Sequence, residues 1–345
     1  LAELAILDPV AKNNPSQPMK SRHLIFRNFG TPTEALELEE FQTAELKTNE
    51  VLLEIQASPI NPADLNYIEG TYGIKPELPS TAGIECSATV LESSSSNFQP
   101  GDNVIPISKI GGWADHAVTI ENNLIRLPAG IDPVQASMLK VNPATALLLL
   151  THFEGLKPGD WVTLNASNSG VGQCVASLAK DFGIRTICFL RNLDFKAELI
   201  SLGATHVFED SSDGFEEAKQ ILGKERAKLA FNAVGGESAL RLMKLLGKSA
   251  THITYGAMAR KPLTIPNGPL IFNDLRVRGL WVTQWMESCG RKELEKTYAK
   301  LAEMSTSGVI NQKVDSHFDL SDFPEALQRV DAKVRSGKVI FTKTT

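Results

Sequence analysis

Trp161-Val162-Thr163-Leu164-Asn165-Ala166-Ser167-Asn168-Ser169-Gly170-Val171-Gly172 decides the fold of this chain. A short, mostly apolar run suits a buried strand and ends in a turn of small residues. A helix-compatible segment follows from Gln173 to Phe182, closed by Gly183. That is how a strand delivers a pyrophosphate to a helix N-terminus: free amide N–H groups and the positive dipole end meet the anion, and small residues let the backbone approach. Set against G-x-G-x-x-G, the aligned positions are Ser167, Ser169 and Gly172, so the last glycine alone stands. An ordinary tight turn between strand and helix is the alternative, and the surrounding chain has to decide.

Downstream, strand and helix patterns alternate. Strands are expected at Thr186 to Leu190, His206 to Phe208, Leu229 to Asn232 and Thr251 to Tyr255. Helical spacing fills the gaps at Lys196 to Leu202, Phe215 to Leu222 and Ser238 to Leu246. Such a series predicts a parallel, doubly wound sheet. Upstream the rhythm differs: short strands at His23 to Phe26, Val51 to Ala57, Ala88 to Leu91, Asn103 to Ile107, Trp113 to Thr119 and Asn123 to Leu127 are broken by turns such as Gln99-Pro100-Gly101-Asp102. Many short strands with Gly/Pro turns predict a barrel-like β domain. The tail returns to a helix, Arg291 to Met304, and ends on Gly337-Lys338-Val339-Ile340-Phe341.

At 345 residues the chain exceeds the ~250–300 at which single cores stop growing, so two domains are expected. A net charge of -5 speaks against a nucleic-acid surface. Cys86, Cys174, Cys188 and Cys289 form no C-x-x-C pair, which suits reduced thiols inside a cell. Ala144 to Leu150 is far short of the ~20 apolar residues of a membrane span, so no membrane insertion is expected. The first residues lack both a signal h-region and the acid-poor composition of a transit peptide. The chain opens on Leu1, which reads as a processed or truncated start, with Met19 as another possible start.

If the turn binds a dinucleotide, the end of the next strand should read the adenosine ribose. Leu190 is followed by Arg191-Asn192, with no acid before Asp194. A guanidinium suits a 2′-phosphate, which favours NADPH; a solvated strand-end charge is the alternative.

With a β domain before and a Rossmann domain after, the chain resembles the medium-chain dehydrogenase/reductase superfamily over nearly its whole length. The resemblance implies an α/β fold, a Rossmann doubly wound parallel sheet inserted in a GroES-like β-barrel catalytic domain. It implies an N-terminal extension over 1–20, the catalytic domain over 21–137 and 290–345, and the Rossmann domain over 138–289. Zinc-dependent members carry a Cys-containing turn and then Gly-His-Glu. Here the corresponding stretches read Asn61-Pro62-Ala63-Asp64 and Gly83-Ile84-Glu85, without the cysteine and with Ile84 for the histidine. Cys86 stands alone nearby, and the four-cysteine lobe of a structural zinc is missing. A zinc-free member is therefore expected, without oxidation through a metal alkoxide.

Ile60 to Gly73, with Ile74-Lys75-Pro76-Glu77-Leu78-Pro79 after it, is similar to the 2-enoyl thioester reductases, the group of the mitochondrial enoyl-acyl-carrier-protein reductases and their bacterial relatives. Val141-Asn142-Pro143-Ala144-Thr145, Asn165 to Gln173, Thr254 to Ala259 and Leu270 to Trp285 carry the same resemblance. It implies NADPH as cofactor and an enoyl thioester, free or carrier-bound, as substrate. Tyr72, just before Gly73, becomes the proton donor. Conjugate reduction places hydride on the β-carbon and leaves an enolate, which a tyrosine O–H can protonate at the α-carbon. A turn aromatic packed on the barrel is the other reading of Tyr72; Tyr67 is its local competitor and suits a packed turn or short helix.

The resemblance assigns the cofactor to Asn142, Asn168, Ser169, Gly170, Val171, Gly172, Arg191, Tyr255, Gly256, Ala257, Met258, Leu280, Trp281, Val282 and Lys338. It places Asn61, Trp281 and Trp285 at the substrate pocket. A structural Asn61, core or dimer-interface tryptophans and a surface Lys338 stand beside these readings. The six histidines show no paired spacing, and no metal site is expected. A homodimer is expected by resemblance, in bacterial cytoplasm or the mitochondrial matrix. An NADPH:quinone reductase of the same superfamily and a non-catalytic dinucleotide-binding module are the rival functions.

Overall fold

The computed structural model describes residues 18–332 and 335–343. Among the described residues eight strands precede the strand that enters the Ser/Gly turn: β1 (Lys20–Phe26), β2 (Leu36–Gln42), β3 (Glu50–Pro59), β4 (Ser80–Thr81), β5 (Ser87–Ser93), β6 (Asn103–Pro106), β7 (His116–Ile120) and β8 (Leu124–Arg126). β1 pairs antiparallel with β2 and β4 in a small sheet. β3 is the hub of a larger one, with β5 and β7 antiparallel to it and β6 and β8 beyond. Val51, Leu53 and Ile55 alternate along β3, so one face packs with Val90, Val104 and Leu124. The turn at Gln99 to Asp102 closes with Asp102 N–H donating to the Gln99 carbonyl at 3.1 Å.

β9 (Trp161–Leu164), β10 (Arg185–Leu190), β11 (His206–Glu209), β12 (Ala227–Asn232), β13 (Leu246–Thr254) and β14 (Arg276–Gly279) form the second architecture. Their order is β11-β10-β9-β12-β13-β14, all parallel. The order reverses between β9 and β12, which puts the ligand crevice of such a sheet at the carboxyl ends of those two strands. Helices cover both faces. Val162, Leu164, Leu190 and Phe231 pack with Val175 and Leu178 of the helix Gly170–Asp181. Ile187, Phe189 and Ala230 pack on the other side with Leu222 and Leu242. The leucine run falls in the helix Asn142–Thr151, whose residues from Asn142 to Leu150 are all buried. Among the described residues no helix is long and apolar enough to cross a membrane.

The chain then returns. The helix Arg291–Thr306 drives Tyr298 and Leu301 into the main core. β15 (Val314–Phe318) and β16 (Lys338–Thr342) join the larger sheet of β3, β16 antiparallel to β3 with Ile340 opposite Pro59. A parallel Rossmann sheet is thus inserted within an antiparallel β architecture. Several elements depart from the sequence reading. Trp113 lies in a loop and the strand begins at His116; β13 begins five positions earlier than Thr251; β2 and β14 were not anticipated. Of the expected extension over 1–20, residues 1–17 lie outside the described residues, and Lys20 already belongs to β1.

Candidate active site

The turn after β9 is held from within. Asn165 is fully buried, and its side-chain amide donates to Asn232 Oδ1 and Ser238 Oγ, both at 2.8 Å, while its carbonyl oxygen accepts from Ala233 N–H at 2.8 Å. It ties β9 to β12 across the point where strand order reverses. Ser169 caps the helix Gly170–Asp181, its hydroxyl accepting from Gly172 N–H at 3.2 Å. A Cβ on Gly172 would lie 2.4 Å from the Ser167 carbonyl oxygen, so this glycine is required by close approach of the backbone. A Cβ on Gly170 would lie 2.6 Å from Asn142 Nδ2. Asn142 is therefore packed directly against the turn, and its amide donates to Gln312 Oε1 at 3.2 Å. Gln312 is itself buried and bonded to the Met138 carbonyl and to Gln135.

The two stretches aligned with the zinc-binding positions of the wider family meet in space and are joined directly. Ile84 N–H donates to Asp64 Oδ1 at 2.7 Å, and Asn61 Nδ2 donates to Glu85 Oε1 at 2.8 Å. The Lys338 ammonium donates to Asn61 Oδ1, and the Lys140 ammonium donates to the Ile84 carbonyl at 2.8 Å. Glu85 Oε2 accepts from Val141 N–H at 2.9 Å, which links this cluster to the start of the Asn142 helix. Burial pushes the Asp64 carboxyl up to about 7, with the nearby Glu85 charge adding to the shift. Burial also raises Glu85, and lowers Lys140 to about 8 and Lys338 below the ordinary lysine value. Among the described residues no group of His, Cys, Asp and Glu is arranged to hold a metal.

Tyr72 follows the helix Pro62–Glu69, which begins with Pro62 and ends at Gly70 in the left-handed region. Tyr72 N–H and Thr71 N–H both donate to the Asn66 carbonyl, at 3.0 and 2.9 Å, fixing the chain just past the helix. The indole N–H of Trp281, on the segment leaving β14, donates to Tyr72 Oη at 3.1 Å. That bond spans the two architectures. Since the phenol oxygen accepts from Trp281, its own hydrogen is free to point elsewhere. Burial raises the Tyr72 phenol above its ordinary value, the Trp281 bond opposing and the Asp64 charge adding to the shift.

Other expected site residues are placed as follows. Arg191 is exposed just past β10, in no ion pair among the described residues. Tyr255 to Met258 run along the end of β12: Tyr255 N–H donates to the Asn232 carbonyl and Met258 N–H to that of Ala233. Gly256 lies against Ala233, while Ala257 and Met258 are exposed. The Tyr255 hydroxyl is buried beside Ser169 without a hydrogen-bond partner. Leu280 N–H donates to the Thr254 carbonyl, leading into Trp281. Val171 lies in the first turn of the capped helix, and the Asn168 carbonyl accepts from Gln173 Nε2 at 2.8 Å.

Four residues sit differently from the sequence reading. Asn61 has both ends of its amide engaged, by Glu85 and Lys338, so it braces the cluster and is not free to orient a substrate oxygen. Lys338 turns its ammonium inward to that same amide, because buried carboxylates beside it supply the counter-charge. Val282 and Trp285 are buried in the main core with Met286, on the inner side of the short helix Val282–Ser288. Glu85, Lys140 and Gln312 have no spacing signal that marks them, and their roles arise from contacts between distant segments; Asn165 lies in the deciding stretch, yet its bonds to Asn232 and Ser238 are legible only in the fold.

Two family profiles match the chain: "Alcohol dehydrogenase GroES-like domain" over residues 47–129 and "Zinc-binding dehydrogenase" over residues 170–303. The mitochondrial enoyl-[acyl-carrier-protein] reductase of Xenopus tropicalis is 36% identical over 339 residues, covering 95% of this chain and 97% of that protein. Among solved structures, Etr1p, a mitochondrial 2-enoyl thioester reductase from Candida tropicalis, in complex with NADP and crotonyl-CoA, is 28% identical with a TM-score of 0.85, covering 94% of this chain and all of the other. A Pseudomonas syringae quinone oxidoreductase superposes with a TM-score of 0.83 over 94% of this chain and 100% of that one, at 22% identity, and shares the fold. With 36% identity to an enoyl reductase over nearly its full length, the chain belongs to the 2-enoyl thioester reductases of the medium-chain dehydrogenase/reductase superfamily.

Proposed function

We propose that this protein reduces trans-2-enoyl thioesters to saturated acyl thioesters with NADPH, and that Tyr72 delivers the proton. The observation that carries the reading is the Trp281–Tyr72 hydrogen bond, which presents a half-buried phenol between the two architectures with its hydrogen unspent. NADPH fits the turn after β9: Gly170 and Gly172 leave room for backbone approach, the capped helix N-terminus offers its dipole, and the Tyr255 hydroxyl awaits a partner. Asn142, Asn168, Ser169, Gly170, Val171 and Gly172 hold the pyrophosphate and neighbouring ribose. Exposed Arg191 meets the 2′-phosphate, and Tyr255 to Met258 with Leu280 and Trp281 flank the nicotinamide. When bound, the cofactor supplies hydride to the β-carbon.

The residues of the chain do the rest. Tyr72 donates its proton to the α-carbon of the enolate, and Trp281 N–H holds the phenol oxygen while charge develops there. A well-aimed donor of this kind is worth about 3–4 kcal/mol at the transition state. We place the catalytic domain at 21–137 with 290–345 and the Rossmann domain at 138–289. Four cysteines without disulfides support action in a reducing compartment.

We also propose a homodimer. β14 is the edge of the parallel sheet, and the short helix before it exposes Ile271 at 68% and Phe272 at 78%. An open strand edge beside an apolar patch is a pairing surface.

A panel of crotonyl-CoA, longer enoyl thioesters and quinones, each with NADPH and NADH, tests the activity. Thioester-dependent NADPH oxidation is expected, with Tyr72→Phe lowering kcat by about 100-fold and leaving NADPH affinity within about twofold. Turnover with quinones alone would overturn the reading. Arg191→Ala should weaken NADPH far more than NADH, as measured by fluorescence titration; equal losses would remove Arg191 from the phosphate site.

A further inference from the structure

Lys109 lies on the loop between β6 and β7, half-buried. Its Nζ donates to Ser80 Oγ at 3.0 Å and sits 4.3 Å from the centre of the Tyr67 ring. Among the described residues no carboxylate forms an ion pair with it. A partly desolvated ammonium held by a hydroxyl and a ring face lacks the counter-charge that would offset its burial. The other face of this arrangement is the site itself: the Tyr67 and Tyr72 rings meet edge to face with centres 6.3 Å apart. One aromatic ring therefore separates a cation from the group that becomes an anion on giving up its proton.

We propose that Lys109 is a positioning residue for proton delivery, its ammonium stabilising the Tyr72 phenolate across the Tyr67 ring and so setting the basic limit of turnover. This rests on Tyr72 being the donor. In the step concerned the Tyr72 O–H bond breaks and a C–H bond forms at the α-carbon, using the enolate's electron pair. The O–H bonding pair stays on Tyr72 Oη, and the phenolate regains a proton from water after product leaves. The charged and titratable groups around Lys109 are Asp64 and Tyr67 on the helix Pro62–Glu69, Tyr72 beyond it, and Lys140 ahead of the helix Asn142–Thr151; Ser80 of β4 is neutral.

Burial pushes the Lys109 ammonium down to about 8, with Asp64 opposing the shift and Lys140 adding to it. Below that pH the phenolate has its cation, and above it the cation is gone. Tyr72 itself is raised above the ordinary tyrosine value, so it stays protonated through this range. Lys140 is lowered to about 8 as well, so the Lys109→Arg profile decides which of the two lysines owns a fall near pH 8. A unit charge about 10 Å away, at an effective dielectric of about 20, shifts a proton-transfer equilibrium by roughly tenfold.

The test is the single-turnover rate of crotonyl-CoA reduction by NADPH, from about pH 6 to 10, in five proteins: wild type, Lys109→Arg, Lys109→Met, Tyr72→Phe and Tyr72→Phe/Lys109→Met. The wild-type rate is expected to fall above about pH 8, and Lys109→Arg to carry that fall upward by more than about one unit. Lys109→Met is expected to be about tenfold slower at neutral pH, without the fall near 8 and with KM unchanged. In the Tyr72→Phe background Lys109→Met should slow the reaction no further, because the phenolate is gone. A wild-type basic limb in Lys109→Arg, or the same slowing in the Tyr72→Phe background, would overturn the proposal. Full activity in Tyr72→Phe would overturn the Tyr72 reading instead, while a slow Tyr72→Phe beside a normal Lys109→Met refutes Lys109 alone.

Discussion

Tyr72 and Trp281 are 209 positions apart in sequence and 3.1 Å apart in space, and neither carries a motif that names the other. Tyr72 was legible as a donor because the residues around it resemble a known stretch. Trp281 was legible only as an aromatic near the cleft, and its N–H found a purpose once the fold supplied Tyr72 Oη. Asn61 shows the reverse: a polar residue in a promising stretch whose amide is consumed by Glu85 and Lys338. A second residue makes a prediction about stability. His252 is fully buried in β13 with neither ring nitrogen bonded, and burial pushes it down to about 4. The folded protein therefore keeps His252 neutral while the unfolded chain takes up a proton below about pH 6.5. Stability from this group is intact above that pH and is lost as pH falls towards 4. At about 1.4 kcal/mol per unit the loss reaches about 3 kcal/mol. Urea unfolding of His252→Leu at successive pH values should show a flatter acid limb than wild type; an unchanged slope would exclude His252 as its source.

Among the elements, the turn after β9 was the most readable and the most misleading. Its strand, Trp161–Leu164, and its closing helix stand where the apolar pattern put them, because both are buried by tertiary packing that their periodicity anticipates. The missing glycines looked like a weakened motif. The structure gives the physical reason they are dispensable: Ser167 is buried and its hydroxyl donates to the Leu164 carbonyl, while Ser169 caps the helix. Gly172 differs, since backbone lies where a side chain would go. Gly172→Ala is expected to disrupt the turn and weaken NADPH binding by more than about tenfold, with a lower Tm from the displaced Ser167 backbone. Isothermal titration and thermal melts check it; wild-type binding would show that the turn does not take the pyrophosphate. β2 escaped notice because Glu37 and Glu39 fill one face and Glu40 falls on the face of Leu36 and Leu38, which breaks the apolar alternation. β14 escaped because an edge strand of Arg, Val, Arg and Gly carries little apolar signal.

On the scale of the whole molecule, strand-rich and alternating segments were separable by rhythm alone, since antiparallel sheets need short hairpins and parallel ones need crossovers. The return of the C-terminal strands to β3 was not readable in detail, because pairing partners lie more than two hundred positions apart and no local pattern records them. The buried cluster of Asp64, Glu85, Lys140 and Lys338 has the same origin: four charges from separated segments, each ordinary in sequence, neutralised against one another only after folding. The edge at β14 makes a further prediction. Ile271→Glu with Phe272→Glu should convert a dimer to monomer in sedimentation equilibrium; a wild-type monomer, or an undisturbed dimer, would rule out that surface. Where each hydrogen goes decides the mechanism. With NADPH deuterated at the transferring position and crotonyl-CoA as substrate, NMR of the product should show deuterium at the β-carbon, a solvent proton at the α-carbon, and about 100-fold slower formation by Tyr72→Phe. No butyryl-CoA, or an undiminished rate in Tyr72→Phe, would contradict it.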